Sequence, residues 1–343
     1  MSFRVRPANN EDFQAIYEMA KHTGGGFTNL PPDRGSLVDK LIRSERAFES
    51  EVEEQSDHLY LMVLENVETG QVRGTCQIFG MVGSEWPFYS YRRSTLTQTS
   101  KALGKTFRNE TLTLCTDFEG SSEVGGLFLH PGERAGGLGM LLARSRYLFI
   151  RQHRRRFGDR VLAELRGVID ESGASPFWDA IAGRFFGMDF READEFNAIH
   201  GTQFIADLMP RTPIYTAMLP ESARSVMGVP HPTGRAAMRM LELEGFSYEC
   251  YVDIFDGGPT MCAQTDQIRT IRDSRELLLS GISADTDTDT DADRAIVATG
   301  RLTGFTACYS HVSQLPDGTA TLDSQSAAVL GVGPGDTILA MGR

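Results

Sequence analysis

Residues 130–146 read HPGERAGGLGMLLARSR, a run of glycines set directly against an apolar stretch. Before it, SSEVGGLFL (121–129) is a short β-rich segment closed by His130 and Pro131; after it, the apolar spacing predicts a helix to about Gln152. A strand, a glycine turn and a helix start therefore meet at one point. Glycines let main-chain N–H groups converge without interference from a Cβ, and a helix start adds partial positive charge, so the turn suits an anion such as a pyrophosphate. Arg134 adds a formal charge. Spacing separates the glycine-rich signatures that compete for this turn. A P-loop needs Gly-Lys followed by Ser or Thr, which is absent. A dinucleotide fingerprint starting at Gly137 passes Gly139 but places Leu142 where its third glycine or alanine belongs. What remains is Arg134-x-x-Gly137-x-Gly139, with Gly136 as an additional glycine. Further arginines follow at Arg144, Arg146, Arg151, Arg154, Arg155, Arg156 and Arg160; for most of them the expected role is a solvated helix face.

Working outward, FRVRP alternates as a strand, Asn9 or Asn10 can cap a helix, and Phe13, Ile16, Tyr17 and Met19 supply its apolar spacing. TGGGFTNLPPDR (23–34) cannot be regular structure and is expected to be a loop. Residues 58–83 hold two β-rich runs around ETGQ, a hairpin by turn chemistry. RVLAELRGVID (160–170) is a further strand, and SPFWDAIAGRFFGMDF (175–190) reads as a proline-started helix running into a short strand. A similar order recurs in HPTGRAAMRMLELEGF and SYECYVDIFDGGP, a helix stopped by glycine and then a strand, which hints at a duplication. Residues 283–293, SADTDTDTDAD, form an acidic segment expected to be a solvated loop; it lacks the central glycine and terminal glutamate of a calcium-binding hand. From Arg294 onward the chain is strand-like, with turns at PDG and GPGD, and is expected to form a small β-rich appendage.

The whole chain has 343 residues, 41% hydrophobic and 23% charged, which places it among globular proteins rather than disordered ones. Its net charge of -12 argues against a sequence-independent nucleic-acid binder and suits a cationic small substrate. No stretch approaches the length of a membrane span, and the first residues carry no apolar signal region, so a cytoplasmic protein without a membrane partner is expected. Cys76, Cys115, Cys250, Cys262 and Cys308 are scattered singly, with no CxxC and no histidine at metal-ligand spacing, so buried free thiols and no metal site are expected.

The motif after its strand resembles the acyl-CoA-binding motif of the GCN5-related N-acyltransferases (GNAT), and the surrounding order of strand, helix, hairpin, motif and strand fits that fold. KHTGGGFTNLP, GSSEVGGLFLHPGER, RGVIDESGASPFW, RFFGMDF, FIADLMPRTPIY and YVDIFDGGPT further resemble the arginine N-succinyltransferase family, including its arginine/ornithine members. The resemblance implies an α/β (α+β) fold: a GNAT-like mixed sheet with flanking helices, duplicated, plus a small C-terminal β-rich segment. Taken with the composition of its last segments, the chain is expected to divide into an acyl-CoA-binding half (1–195), a second half carrying the proposed catalytic histidine (196–282), the acidic loop (283–293) and the β-rich segment (294–343). The implied reaction passes the succinyl group of succinyl-CoA, a co-substrate rather than a bound cofactor, to the α-amino group of L-arginine. It is the first step of the succinyl-transfer route of arginine degradation. Ornithine or another amino acid as acceptor, and a non-catalytic CoA-binding regulatory subunit, are the alternatives; the chain could act as a homo- or hetero-oligomer.

An amine attacking a thioester needs proton transfer, donors for the developing oxyanion and release of the CoA thiolate. His231, in VPHPTGRAA, lies in a loop just before the second helix and has a side chain suited to proton exchange near neutrality. The resemblance places the family's catalytic histidine, a proton donor, on His231, and its succinyl-CoA contact on Leu127, made mainly through the backbone. Arg134, Gly136, Gly137 and Gly139 complete the expected CoA site. His130 lies beside the turn and His153 within the arginine run; His22, His58, His200 and His311 have no supporting constellation. A guanidinium acceptor should meet carboxylates, for which Glu123, Glu164, Asp170, Glu171, Asp253 and Asp256 are the unranked candidates. Two glycines in VGGLFL ahead of the binding contact are a departure that bears on the acyl pocket, and FDGGPT is a candidate structural turn.

Overall fold

The computed structural model describes residues 2–21, 30, 32–134, 136–200, 203–283 and 294–342. The predicted TGGGF loop, His22 and the acidic run from 284 to 293 lie outside the described residues. The strands are β1 (Phe3–Pro7), β2 (Leu59–Asn66), β3 (Val72–Phe79), β4 (Ser90–Ser100), β5 (Lys105–Cys115), β6 (Ser122–Leu129), β7 (Arg160–Glu164), β8 (Ile214–Tyr215), β9 (Ser247–Val252), β10 (Pro259–Gln264), β11 (Arg275–Ser283), β12 (Arg294–Thr299), β13 (Thr306–Gln314), β14 (Ala320–Asp323) and β15 (Thr337–Gly342). They join in the order β12-β15-β11-β14-β13-β1-β2-β3-β6-β7-β10-β9-β4-β5-β8. The sheet is mixed: β6–β7 and β11–β14 are parallel, whereas the other pairs are antiparallel. A mixed sheet with flanking helices is the expected architecture.

Strand β2, LYLMVLEN, is buried along its whole length because both of its faces are covered. Leu61 and Val63 pack with Ile16, Met19, Leu37 and Leu41 from helices Phe13–Lys21 and Arg34–Glu49. Tyr60, Met62 and Leu64 pack on the other side with Leu141, Leu142 and Phe149 of the motif helix, Leu138–Gln152. The alternation of a strand thus sorts one apolar run between two layers.

The motif helix itself departs from expectation. Leu241, Phe246, Ile268, Ile271 and Phe305 share its core cluster, so the helix is enclosed rather than lying on the surface. Arg144, Arg146 and Arg156 are consequently only 3%, 3% and 1% exposed, and they are not a solvated face. Each has partners: Arg144 donates to Glu244 at 2.7 Å, Arg146 to the carbonyl of Gly125 at 3.3 Å, and Arg156 to the carbonyl of Ser50 at 2.7 Å. Arg151 and Arg155 are exposed, as expected.

A second correction concerns SPFWDAIAGRFFGMDF. The proline-started helix is present (Pro176–Ala180), capped by Ser175, but no strand follows it. Gly187 ends a short helical turn in the left-handed region (φ 63°), and Asp189 and Glu192 then cap each other's main-chain N–H groups at 2.8 and 3.0 Å. That reciprocal cap starts helix Phe190–His200. The helix-glycine-strand order is therefore not repeated in the two stretches, although helix Arg235–Leu243 and β9 form as expected.

The C-terminal strands are β-rich as expected, yet they are not appended loosely. β12, β15, β11, β14 and β13 pair in turn and β13 pairs back with β12, closing a small barrel that also draws in β11. β13 pairs with β1, with Arg4 opposite Cys308, so the barrel continues the main sheet.

Candidate active site

The strand, turn and helix of residues 122–152 form as the sequence predicts. Gly136 and Gly137 are consecutive left-handed residues (φ 66° and 79°), a backbone that side chains with a Cβ rarely adopt. Gly137 is the N-cap of the motif helix and contributes no side-chain cap, so first-turn N–H groups are left without an internal partner. The turn is braced from both sides. Arg73 donates to His130 Nδ1 at 2.8 Å and to Glu133 at 3.0 Å, giving His130 a structural role. The Tyr309 hydroxyl, from the barrel, donates to the carbonyl of Gly137 at 2.8 Å. Replacing Tyr309 with Phe removes one hydrogen bond of about 1 kcal/mol. The expected result is a several-fold rise in KM for the CoA thioester with kcat little changed, measured by steady-state kinetics.

Strand β6 is irregular where it faces β3. Thr75 lies opposite Phe128 but Gln77 lies opposite Gly125, so β6 carries one extra residue at Gly126–Leu127. Gly126 takes φ 58°, and a Cβ there would meet the Gln77 side chain at 2.8 Å. The two glycines of VGGLFL thus serve a bulge that turns the backbone at Leu127 out of register. β6 also pairs with β7 only through Ser122–Val161 and Glu123–Leu162, after which β7 continues alongside β10. The parallel strands part, and the later edge of β6 faces open space.

That opening is a cleft of about 1070 Å³. Leu127, Arg134, Gly137 and Gly139 line it, which brings these four expected CoA-site residues to one place; Gly136 instead lines a smaller cavity of about 300 Å³ beside Tyr309. His231 is half-buried next to the cleft, in the same turn as Thr233 and Gly234, which line it. Its main-chain N–H donates to the carbonyl of Arg166 at 2.8 Å, and Pro230 forms a bridge with Gly167. The Thr233 main-chain N–H points at His231 Nδ1 (3.3 Å), with the Thr233 hydroxyl 2.8 Å from the same atom. An N–H donor makes Nδ1 an acceptor, so the neutral ring carries its proton on Nε2. Burial, and then the charge of Arg166, hold the His231 pKa below the ordinary histidine value. Protonating Nδ1 would oppose the Thr233 N–H. The arrangement is therefore present above the depressed pKa and lost as pH falls through it. An acid limb in kcat centred below about 6.5 is expected, and it should vanish in His231→Gln.

The structure ranks the carboxylates that the sequence left unranked. Asp170 caps an exposed turn through Ser172 and Ala174, and it and Glu171 do not line the cleft. Glu123, Glu164, Asp253 and Asp256 all do. Asp253 accepts from the N–H groups of Phe255 and Asp256, and Asp256 from those of Gly167 (2.7 Å) and Gly258 (2.8 Å). These two brace the FDGGP turn, where a Cβ on Gly258 would lie 2.0 Å from the carbonyl of Leu165. Glu123 faces the Lys40 ammonium, which burial pushes down to about 8. Glu164 is different, since its Oε1 is shielded and without a hydrogen-bond partner. Burial, followed by the charges of Asp253, Glu123 and Asp256, raises its pKa well above the usual carboxylate range. A pocket so crowded with carboxylates favours a cationic ligand group. Arg166, which sequence reasoning missed, adds a shielded and unpaired Nε to the same cleft. Its signal lay only in its position two residues after Glu164.

Among the described residues no group of three or more His, Cys, Asp or Glu is placed to hold a metal ion, and no helix is long and apolar enough to cross a membrane. All five cysteines are free: Cys76, Cys262 and Cys308 are buried as expected, whereas Cys115 is half-buried and Cys250 exposed.

Comparison with known proteins shows the family. The family described as "Arginine N-succinyltransferase beta subunit" matches residues 3–270, and its C-terminal domain matches residues 275–342. The chain is 44% identical over 276 residues to the arginine N-succinyltransferase subunit beta of Pseudomonas aeruginosa, covering 80% of this chain and 81% of that protein. It is 44% identical over 273 residues to the arginine N-succinyltransferase of Citrobacter koseri, covering 80% and 79%. The solved structure of arginine/ornithine succinyltransferase subunit AI from Pseudomonas aeruginosa superposes with a TM-score of 0.89 at 32% identity, over 99% of this chain and 98% of that one. This chain belongs to the arginine N-succinyltransferase family.

Proposed function

We propose that this protein transfers the succinyl group of succinyl-CoA to the α-amino group of L-arginine, giving N2-succinyl-L-arginine and CoA. The observation that carries the reading is one cleft that runs from an uncapped glycine turn, past a bulged and unpaired strand edge, to a buried carboxylate group beside His231. The first-turn N–H groups and Arg134 would hold the pyrophosphate of CoA. The free edge of β6 offers main-chain groups to the amides of the pantetheine arm, as an added strand would use them. The bulge at Leu127 directs a main-chain donor to the thioester carbonyl, where the oxyanion develops.

The α-amine attacks after losing a proton to water. As the C–S bond breaks, His231 gives its Nε2 proton to the sulfur, and the nitrogen forming the amide returns one to the ring. His231 ends in its starting state, and no covalent enzyme intermediate is needed. Turn, strand edge, carboxylates and His231 all come from one chain. Free cysteines suit a reducing, cytoplasmic setting. Mass-spectrometric analysis of the product tests the reading: succinyl on the α-nitrogen of arginine is expected, and a succinylated guanidinium or unmodified arginine would contradict it.

A further inference from the structure

Three residues that line the cleft carry a shielded polar atom with no hydrogen-bond partner, Glu164, Arg166 and Asn197, and the first two are ionisable. Glu164 Oε1 and Arg166 Nε are shielded from solvent and lack hydrogen-bond partners, and both residues line the cleft. Leaving polar atoms of ionisable side chains unpaired where water cannot reach them is costly, so two of them at a cleft wall point to a ligand that supplies the missing partners. One needs a cation and the other an anion. Arg166 is also the residue whose carbonyl holds the His231 main chain at 2.8 Å, so its side chain starts beside the reacting centre. Glu164 lies at the end of β7, with Thr260 of β10 opposite it and the braced Asp253 and Asp256 in the same cleft wall.

Resting on the reading of this cleft as the acceptor site, we propose that Arg166 and Glu164 select the acceptor by its two ends: Arg166 pairs with the α-carboxylate and Glu164 with the guanidinium. The α-carboxylate shares its carbon with the attacking amine and must lie near His231, which is where Arg166 is anchored. The terminal carboxylate of the succinyl group sits further from that nitrogen. A shorter side chain such as that of ornithine would leave Glu164 unsatisfied while Arg166 is engaged.

The test is thiol release by the wild type, Arg166→Gln, Arg166→Lys and Glu164→Gln. The acceptors are arginine, agmatine (no α-carboxylate) and citrulline (no side-chain charge), and the donors are succinyl-CoA and butyryl-CoA. Arg166→Gln is expected to lose about 10- to 100-fold in kcat/KM for arginine and little for agmatine, with part of the loss restored in Arg166→Lys. Glu164→Gln is expected to lose on arginine and agmatine alike and to gain on citrulline relative to both. Collapse of the succinyl-to-butyryl preference in Arg166→Gln, with the arginine-to-agmatine ratio unchanged, would overturn the assignment by placing Arg166 on the donor. Equal losses for every pair would also overturn it, as a structural role. A wild type that releases no thiol with arginine from either donor would contradict the acceptor-site reading itself, whereas an active wild type with unaltered acceptor ratios in the variants would contradict only this inference.

Discussion

Replacing His231 with Ala is expected to lower kcat by about 10²–10⁴-fold, the usual contribution of a positioned proton-transfer group, while succinyl-CoA binding is largely retained. The structure separates the two functions. His231 is half-buried in a turn whose main chain is held by Arg166, and its ring Nδ1 is hydrogen-bonded to Thr233 within that turn. The features assigned to CoA lie in other elements, the glycine turn and the bulged strand β6. Titration calorimetry with CoA and steady-state thiol release would check both halves of the expectation. Loss of affinity in parallel with turnover, in a folded protein, would show that His231 acts through the binding site instead.

The largest effect on stability is expected at Arg144 and Glu244. Both are almost wholly buried, and Arg144 Nε meets Glu244 Oε1 at 2.7 Å. Glu244 Oε2 accepts from the N–H of Thr270 at 2.8 Å, and its carbonyl from the N–H of Arg269 at 2.9 Å. One carboxylate thereby ties the motif helix to helix Arg269–Asp273. Removing either partner leaves an uncompensated charge in the core, so Glu244→Ala or Arg144→Ala should each cost about 3–5 kcal/mol. A double replacement by Met at 144 and Leu at 244 should recover much of that loss, because a well-packed apolar pair carries no desolvation penalty. Urea unfolding followed to its midpoint would measure this. Single-variant losses below about 1 kcal/mol, typical of exposed pairs, would contradict the account.

The strand, glycine turn and helix at residues 122–152 were legible because their signals are local: a short apolar run, glycines at a fixed spacing and a helical period. The hairpin around ETGQ and the helix ended by Gly245 were legible for the same reason. Arg144 was not, since its partner Glu244 lies 100 residues away and only the fold brings the two together. The helix at Phe190 was hidden because MDF is equally a strand start until the Asp189–Glu192 cap is seen. The long β4–β5 hairpin places Thr, Arg and Gln on both faces, so its alternation has little hydrophobic contrast. At the site, the glycine turn could be named from its spacing, whereas His231 was singled out among seven histidines by the family resemblance. The choice among carboxylates required knowing that β6, β7 and β10 are neighbours, which is what gathers Glu123, Glu164, Asp253 and Asp256 and leaves Asp170 outside.

The most direct measurement is the rate of free-thiol release by the purified chain, with succinyl-CoA against acetyl-CoA and each offered arginine, ornithine and lysine. Release from succinyl-CoA that depends on arginine, with weaker turnover for ornithine, lysine and acetyl-CoA, is the result expected of this cleft. Absence of release with every pair, despite measurable CoA binding, would contradict it and identify a CoA-binding protein without turnover of its own.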